Sequence, residues 1–263
     1  MYKRQNEDRL RWIGDVDWVY ARTFEVPAQM LAQDKVVLVC QGLDTLATVT
    51  VNGIEVGRSD NMFRVWEFEV KNALKEGENR LEVLFSSTMP VIEEGQKRFR
   101  LPGWGGPKEI RGRAWVRKEP CNYGWDWGPT LLTAGPWLPV RLEAFDVRVA
   151  DVHAPVDVAA DLASATVPVH VELDLGAGRD PAEAARLLAE VAVRIELHDP
   201  DGQVVAGATL PAGLGVVSAE LTLGAPRLWW PAGHGEQPLY RLAVRVERGA
   251  QELDRRELRL GMR

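Results

Sequence analysis

The stretch CNYGWDWGP, residues 121–129, sets one acid between two indoles and closes on Gly-Pro. A carboxylate prefers water, while tryptophans offer wide apolar faces. Such a cluster is either an awkward piece of core or a surface for a ligand that is both oxygen-rich and ring-shaped. An ionised Asp126 only accepts hydrogen bonds and could take two neighbouring hydroxyls. Each charge-assisted bond of that kind is worth roughly 1.5–3 kcal/mol when buried. The faces of Trp125 and Trp127 suit the apolar C–H face of a pyranose ring. Carbohydrate recognition is therefore the chemistry these residues fit. The competing reading has Asp126 capping a turn and both indoles in a core, and the residues alone leave both open.

The elements that must position this trio read as strands. Period-two alternation dominates the chain. It places Trp18, Tyr20, Phe24 and Val26 on one face, then Trp66, Phe68 and Val70, then Leu81, Val83 and Phe85. Asn52-Gly53 between two β-rich arms is the preferred pair for a two-residue type I′ hairpin. Residues 90–130 break the rhythm and carry four of the ten tryptophans. A long aperiodic stretch inside a compact domain is functional or disordered. Its glycines, prolines and aromatics argue for anchored turns rather than disorder.

From residue 147 the composition shifts to Ala and Val, with short strands spaced by turns such as DPDG. That is the pattern of an immunoglobulin-like sandwich. Asp180 followed by Pro181 predicts the capped start of one short helix. The fold class is all-β, two sandwiches, with domains expected at 1–146 and 147–263.

A net charge of −6 over 263 residues, with signs interspersed, argues against nucleic-acid or anionic-membrane partners. Cys40 ends the apolar run KVVLVC and reads as an inert buried thiol. With Cys121 the only other cysteine, a disulfide between the two is the minor alternative. The four histidines lie far apart, so neither a metal nor a cofactor is expected. No apolar run approaches the ~20 residues of a membrane span, and the first residues lack a signal-peptide apolar segment. The opening YKRQ is similar to a translated sequencing adapter, so the start is read as an assembly artefact. The compartment stays open on that account, the cytoplasm being favoured for a soluble chain.

Several segments together resemble glycoside hydrolase family 2, in its β-mannosidase branch. They are DWVYARTFEVP, GLDTLATVTVNGIEVGRSDNMFR, GENRLEVLF, VRKEPCNYGWDWGP and WWPAGHGEQPLY. SDNMFR and GWDWGP carry the mannosidase likeness, and the others are shared more widely in the family. The resemblance implies a jelly-roll sandwich, then an immunoglobulin-like sandwich, then a (β/α)8 barrel holding the catalytic carboxyl pair. Retaining enzymes place such a pair about 5–5.5 Å apart, and nothing in two sandwiches supplies it. The chain is thus expected to lack catalytic residues and to be inactive alone. The first strand that the resemblance implies ahead of WIGDVDW is missing, so the first sandwich is read as truncated there.

By the same resemblance Asp126 would bind hydroxyls of a terminal β-mannosyl residue with Trp125 beside it. Trp127, Gly128 and Pro129 would brace the loop, and the missing barrel would be the principal partner. Asp60 and Asn61 would satisfy turn backbone, Arg64 would pair with an acid, and WWPAGHGEQPLY would be a buried link between strands, with Trp229 and Trp230 left as apolar surface for the barrel to cover. Asn122-Tyr123-Gly124 departs from the aromatic or His-Phe pair of many relatives, which leaves subsite detail open. The rival readings are a stand-alone carbohydrate-binding protein and a family 2 glycosidase for another sugar.

Overall fold

The computed structural model describes residues 6–103, 109–176 and 180–263. Trp104, within the aromatic stretch, and the opening YKRQ therefore lie outside the described residues. The chain folds as two compact units, Met1–Ala144 and Phe145–Arg263.

The first unit is a jelly-roll β-sandwich. Its strands are β1 (Trp18–Val26), β2 (Lys35–Cys40), β3 (Leu43–Asp44), β4 (Leu46–Val51), β5 (Ile54–Ser59), β6 (Trp66–Glu69), β7 (Gly77–Ser86), β8 (Gly135–Pro136) and β9 (Val140–Phe145). One sheet runs β1-β7-β4-β5, a second β6-β2-β9, and β3 pairs with β8. Alternation does the packing: Ala47, Val49 and Val51 from β4 meet Val83 and Phe85 from β7, against Val36, Leu38 and Cys40. Strand β2 is central in its sheet, so Val36 to Cys40 are all buried.

The β4–β5 turn has Asn52 at φ 51° and Gly53 at φ 80°, as a type I′ turn requires. Strand β1 departs from the expected single buried face. Val26 is buried and Trp18 and Phe24 half-buried, but Tyr20 is 46% exposed. The cause is its place at the sheet edge, where only β7 covers it. Tyr20 sets its ring edge-on to Phe85 and donates its hydroxyl to the Ala134 carbonyl at 2.9 Å.

The second unit is an immunoglobulin-like sandwich of β10 (Arg148–His153), β11 (Asp157–Val158), β12 (Ser164–Asp174), β13 (Val191–His198), β14 (Val204–Pro211), β15 (Val216–Gly224), β16 (Tyr240–Arg248) and β17 (Gln251–Leu260). One sheet centres on β12, paired with β10, β11 and β15; the other runs β14-β13-β16-β17. Ala165, Val167, Val169 and Val171 alternate inward on β12 to meet Val193, Ile195 and Leu197 of β13. Pro168 falls in the gap between the β11 and β10 pairings, where a missing N–H costs no ladder bond on that side. The short helix is Pro181–Leu188, and Asp180 caps it by accepting from the Ala182 and Glu183 amides, both at 2.8 Å. No described helix is long and apolar enough to cross a membrane.

The aperiodic stretch holds a helix that alternation does not announce, Met89–Arg98. Pro90 and Gly95 hide it, yet both fit. Proline is accepted in the first turn. A Cβ at Gly95 would come within 2.4 Å of the Trp115 ring. Helix and loop share a small core of their own, Ile92, Val116, Tyr123 and Leu132.

Burial raises the Tyr123 phenol to about 12, the Asp44 charge adding to the effect and the Thr88 hydrogen bond opposing it. Burial likewise pushes the Cys40 thiol up to about 12. Both groups are held neutral in the folded state and ionise earlier in the unfolded chain. Stability is therefore intact below pH 9 and lost as pH rises from about 9 toward 12. A tenfold difference in proton affinity is worth ~1.4 kcal/mol, so the two groups together should remove about 4 kcal/mol between pH 9 and 11. Urea unfolding followed by tryptophan emission reads this, and Tyr123→Phe with Cys40→Ala should flatten the profile.

Candidate functional site

The Asp126 loop is clamped at its base. Lys118 enters it and Thr133 leaves it, and both meet Asp44 at the end of β3. The Lys118 ammonium pairs with Asp44 Oδ2 and donates to the Thr133 carbonyl at 2.7 Å. Thr133 Oγ1 lies 3.3 Å from the same carboxylate oxygen, and the Thr45 hydroxyl donates to the other. Burial pulls the Lys118 ammonium below its ordinary value, and the Asp44 charge resists that pull.

The SDNMFR turn braces the same entry. Asn61 and Arg117 form a parallel bridge, the Met62 amide donates to the Arg117 carbonyl at 3.0 Å, and the Glu119 amide points at the Met62 sulfur. Two motifs more than fifty residues apart are thus one substructure. Asn61 accepts from the Phe63 amide at 2.9 Å, satisfying turn backbone as expected. Arg64 lies over the Trp66 ring at 4.8 Å instead of pairing with an acid. Trp66 is half-buried, and stacking on its ring leaves the exposed guanidinium hydrated, which an ion pair there would not improve.

From the entry the chain turns through a short 3-10 segment, Pro120–Tyr123. Tyr123 is fully buried and hydrogen-bonds Thr88 at 2.8 Å, so this departure from the relatives' pattern is filled by a core residue. Gly124 follows at φ +108°, and a Cβ there would come within 2.8 Å of Thr130 Oγ1 and 3.0 Å of Glu109 Cα. The returning limb is tied by the Leu131 amide to the Asn122 carbonyl at 3.1 Å. The buried Thr130 amide donates to Glu7 Oε1, also at 3.1 Å. Glu7, which sequence reasoning passed over, is buried despite lying so near the start.

At the tip Trp125 is half-buried, Asp126 is exposed, and Trp127 is 68% exposed. A Cβ at Gly128 would meet open space. Gly128 and Pro129, which follow Trp127, are half-buried. The arrangement can offer an acceptor and an indole face to a ligand from a firm base. Both cysteines are free, and no metal-holding cluster occurs among the described residues.

Within WWPAGHGEQPLY the middle residues 230–237 form an exposed turn rather than a buried link, while Pro238 and Tyr240 at its end are buried and Tyr240 joins the core. The Trp230 amide donates to Glu236, Gln237 donates to the Trp230 and Gly235 carbonyls, and the His234 amide donates to Pro231. With its polar backbone satisfied internally, the turn needs no burial. Trp230 is 42% exposed and, with Trp229, lines an apolar recess of about 430 Å³ in the second unit.

Two family models match. The "Glycosyl hydrolase 2 galactose-binding domain-like" model covers residues 1–138, and "Glycosyl hydrolases family 2" covers residues 147–263. The chain is 35% identical over 261 residues to β-mannosidase B of Aspergillus flavus, covering 98% of this chain and 29% of that protein. β-Mannosidase B of Thermothelomyces thermophilus is also 35% identical, with the same coverages. Among solved structures, β-D-mannosidase from Dictyoglomus thermophilum superposes with a TM-score of 0.83 at 32% identity, over 98% of this chain and 31% of that one. A β-glucuronidase from Bifidobacterium dentium shares the fold at 23% identity and a TM-score of 0.66, over 94% of this chain and 39% of that one. The chain thus spans under a third of the length of the curated relatives it matches.

Proposed function

This chain belongs to glycosyl hydrolase family 2, and from that membership we propose that it is the N-terminal part of an exo-acting, retaining β-mannosidase. Its role is to lend the Asp126 loop to a sugar pocket whose catalytic carboxyl groups lie on a separate domain. The observation that carries the reading is the loop tip: an exposed acid between a seated indole and an open one, on a base clamped by buried charge.

Asp126 accepts hydrogen bonds from two hydroxyls of the terminal mannosyl unit, and Trp125 borders that unit. The work of the loop is positioning. Holding a substrate in reactive geometry lowers the barrier without any proton transfer by the residues that hold it. Similarity at 32–35% identity to proteins described as β-mannosidases supports mannose over another sugar. The exposed Phe63, Trp127 and Trp137 of the first unit favour a chain that works against further polypeptide over a self-contained lectin.

The test is hydrolysis of 4-nitrophenyl β-D-mannopyranoside. The 263-residue protein should show none, whereas the polypeptide extended through the downstream reading frame should turn it over with retention. Turnover by the pure 263-residue protein would falsify the division of labour.

A further inference from the structure

Beneath the loop tip lies a buried cation that the sugar-binding reading leaves unused. Arg113 opens the 3-10 turn Arg113–Trp115, and its side chain is 8% exposed. Its Nη1 donates to the Pro120 and Gly124 carbonyls, both at 3.3 Å. Its Nε lies 3.5 Å from Glu109 Oε1, whose side chain is 4% exposed. Its Cζ stands 4.8 Å from the centre of the Trp125 ring.

These contacts converge on one residue. The Gly124 carbonyl belongs to the peptide that leads into Trp125, and the guanidinium also faces the indole of Trp125 itself. One planar group therefore holds that residue by its backbone and by its ring. Gly124, at φ +108°, is a joint where the loop would otherwise swivel. Asp126 follows directly, so its direction depends on how Trp125 is seated.

The geometry points to Arg113 as a positioning residue for sugar binding, one that fixes Trp125, and through it Asp126, before the substrate arrives. This rests on the reading of Asp126 as a sugar-binding group. Lysine would not substitute. Its ammonium could donate to both carbonyls, but a point charge on a flexible stem has no planar face to set against the indole while a second nitrogen stays opposite Glu109.

The test is Arg113→Lys with two readouts. In the 263-residue protein labelled with 5-fluorotryptophan, the 19F resonance of Trp125, assigned through Trp125→Phe, should shift and broaden. In the extended enzyme kcat/KM should fall by about 10²-fold, the scale of a 1 Å misplacement, with most of the loss in kcat. An unchanged Trp125 resonance, or parental kinetics alongside an inactive Asp126→Ala control, would overturn the assignment. If Asp126→Ala is itself fully active, the sugar-binding reading fails, while the fluorine spectrum still decides whether Arg113 holds Trp125. A lysine variant that does not fold leaves the parent as probe. There the Arg113 Nε–H resonance should move on Trp125→Leu, and indifference to that change would sink the proposal.

Discussion

Asp126→Ala, made in the extended enzyme, is expected to lower kcat/KM for a nitrophenyl β-mannoside by about 10²–10⁴-fold. That range follows from two lost charge-assisted hydrogen bonds at roughly 1.5–3 kcal/mol each, with about 1.4 kcal/mol per tenfold in rate. Stability should move little, because the side chain is exposed. Exposed substitutions of this kind stay within about 0.5 kcal/mol. Asp126→Asn retains an acceptor but loses the charge, so its kcat/KM should fall between parent and alanine variant. A thermal unfolding curve like the parent's beside a collapsed kcat/KM separates substrate binding from turn capping. Parental kinetics in the alanine variant would return Asp126 to a structural role.

The parts of the fold that were legible in the sequence are those whose signal is local. Asn52-Gly53 announces its turn because few residue pairs accept two consecutive positive φ values. Asp180-Pro181 announces a helix start because both orphan amides and a fixed φ are satisfied within four residues. The family resemblance, carried by ordered motifs, supplied the two-sandwich architecture. At the Trp125-Asp126-Trp127 trio the residues left a ligand surface and a capped turn equally open, and the fold adds that the acid and Trp127 are exposed while Trp125 is half-buried. What held the trio was not legible. Lys118 and Asp44 are 74 positions apart, and nothing at either position marks the other. The helix Met89–Arg98 stayed hidden because Pro90 and Gly95 read as breakers, whereas the glycine is set by the approach of Trp115. Tyr20 shows the opposite error. Its place in the alternation suggested burial, but an edge strand leaves it partly in water.

The clamp at the loop base carries the largest stability effect expected in the first unit. Lys118→Met removes the ammonium and strands the Asp44 carboxylate, which is 4% exposed and keeps the Thr45 and Thr133 hydroxyls among the described residues. Breaking a buried pair from one side costs about 3–5 kcal/mol, because the remaining charge cannot regain water. Against a total stability of ~5–15 kcal/mol for an ordinary domain, that is a large share. Differential scanning calorimetry should show the first unit melting about 10 °C or more below the parent.

Removing both charges together should cost far less. Asp44→Leu with Lys118→Met leaves no stranded ion, and apolar replacement of a buried pair is often neutral. The double variant should recover most of the lost melting temperature. Its loop should nonetheless be freer, since the Thr133 carbonyl loses the donor that joins the two limbs. The extended enzyme carrying both changes should therefore melt near the parent yet retain a reduced kcat/KM. If the single lysine variant melts with the parent, the pair contributes nothing to holding the loop. If instead the double variant is stable and fully active, the clamp holds the fold but not the site. Only the combination of recovered stability and lasting kinetic loss places the buried pair upstream of Asp126.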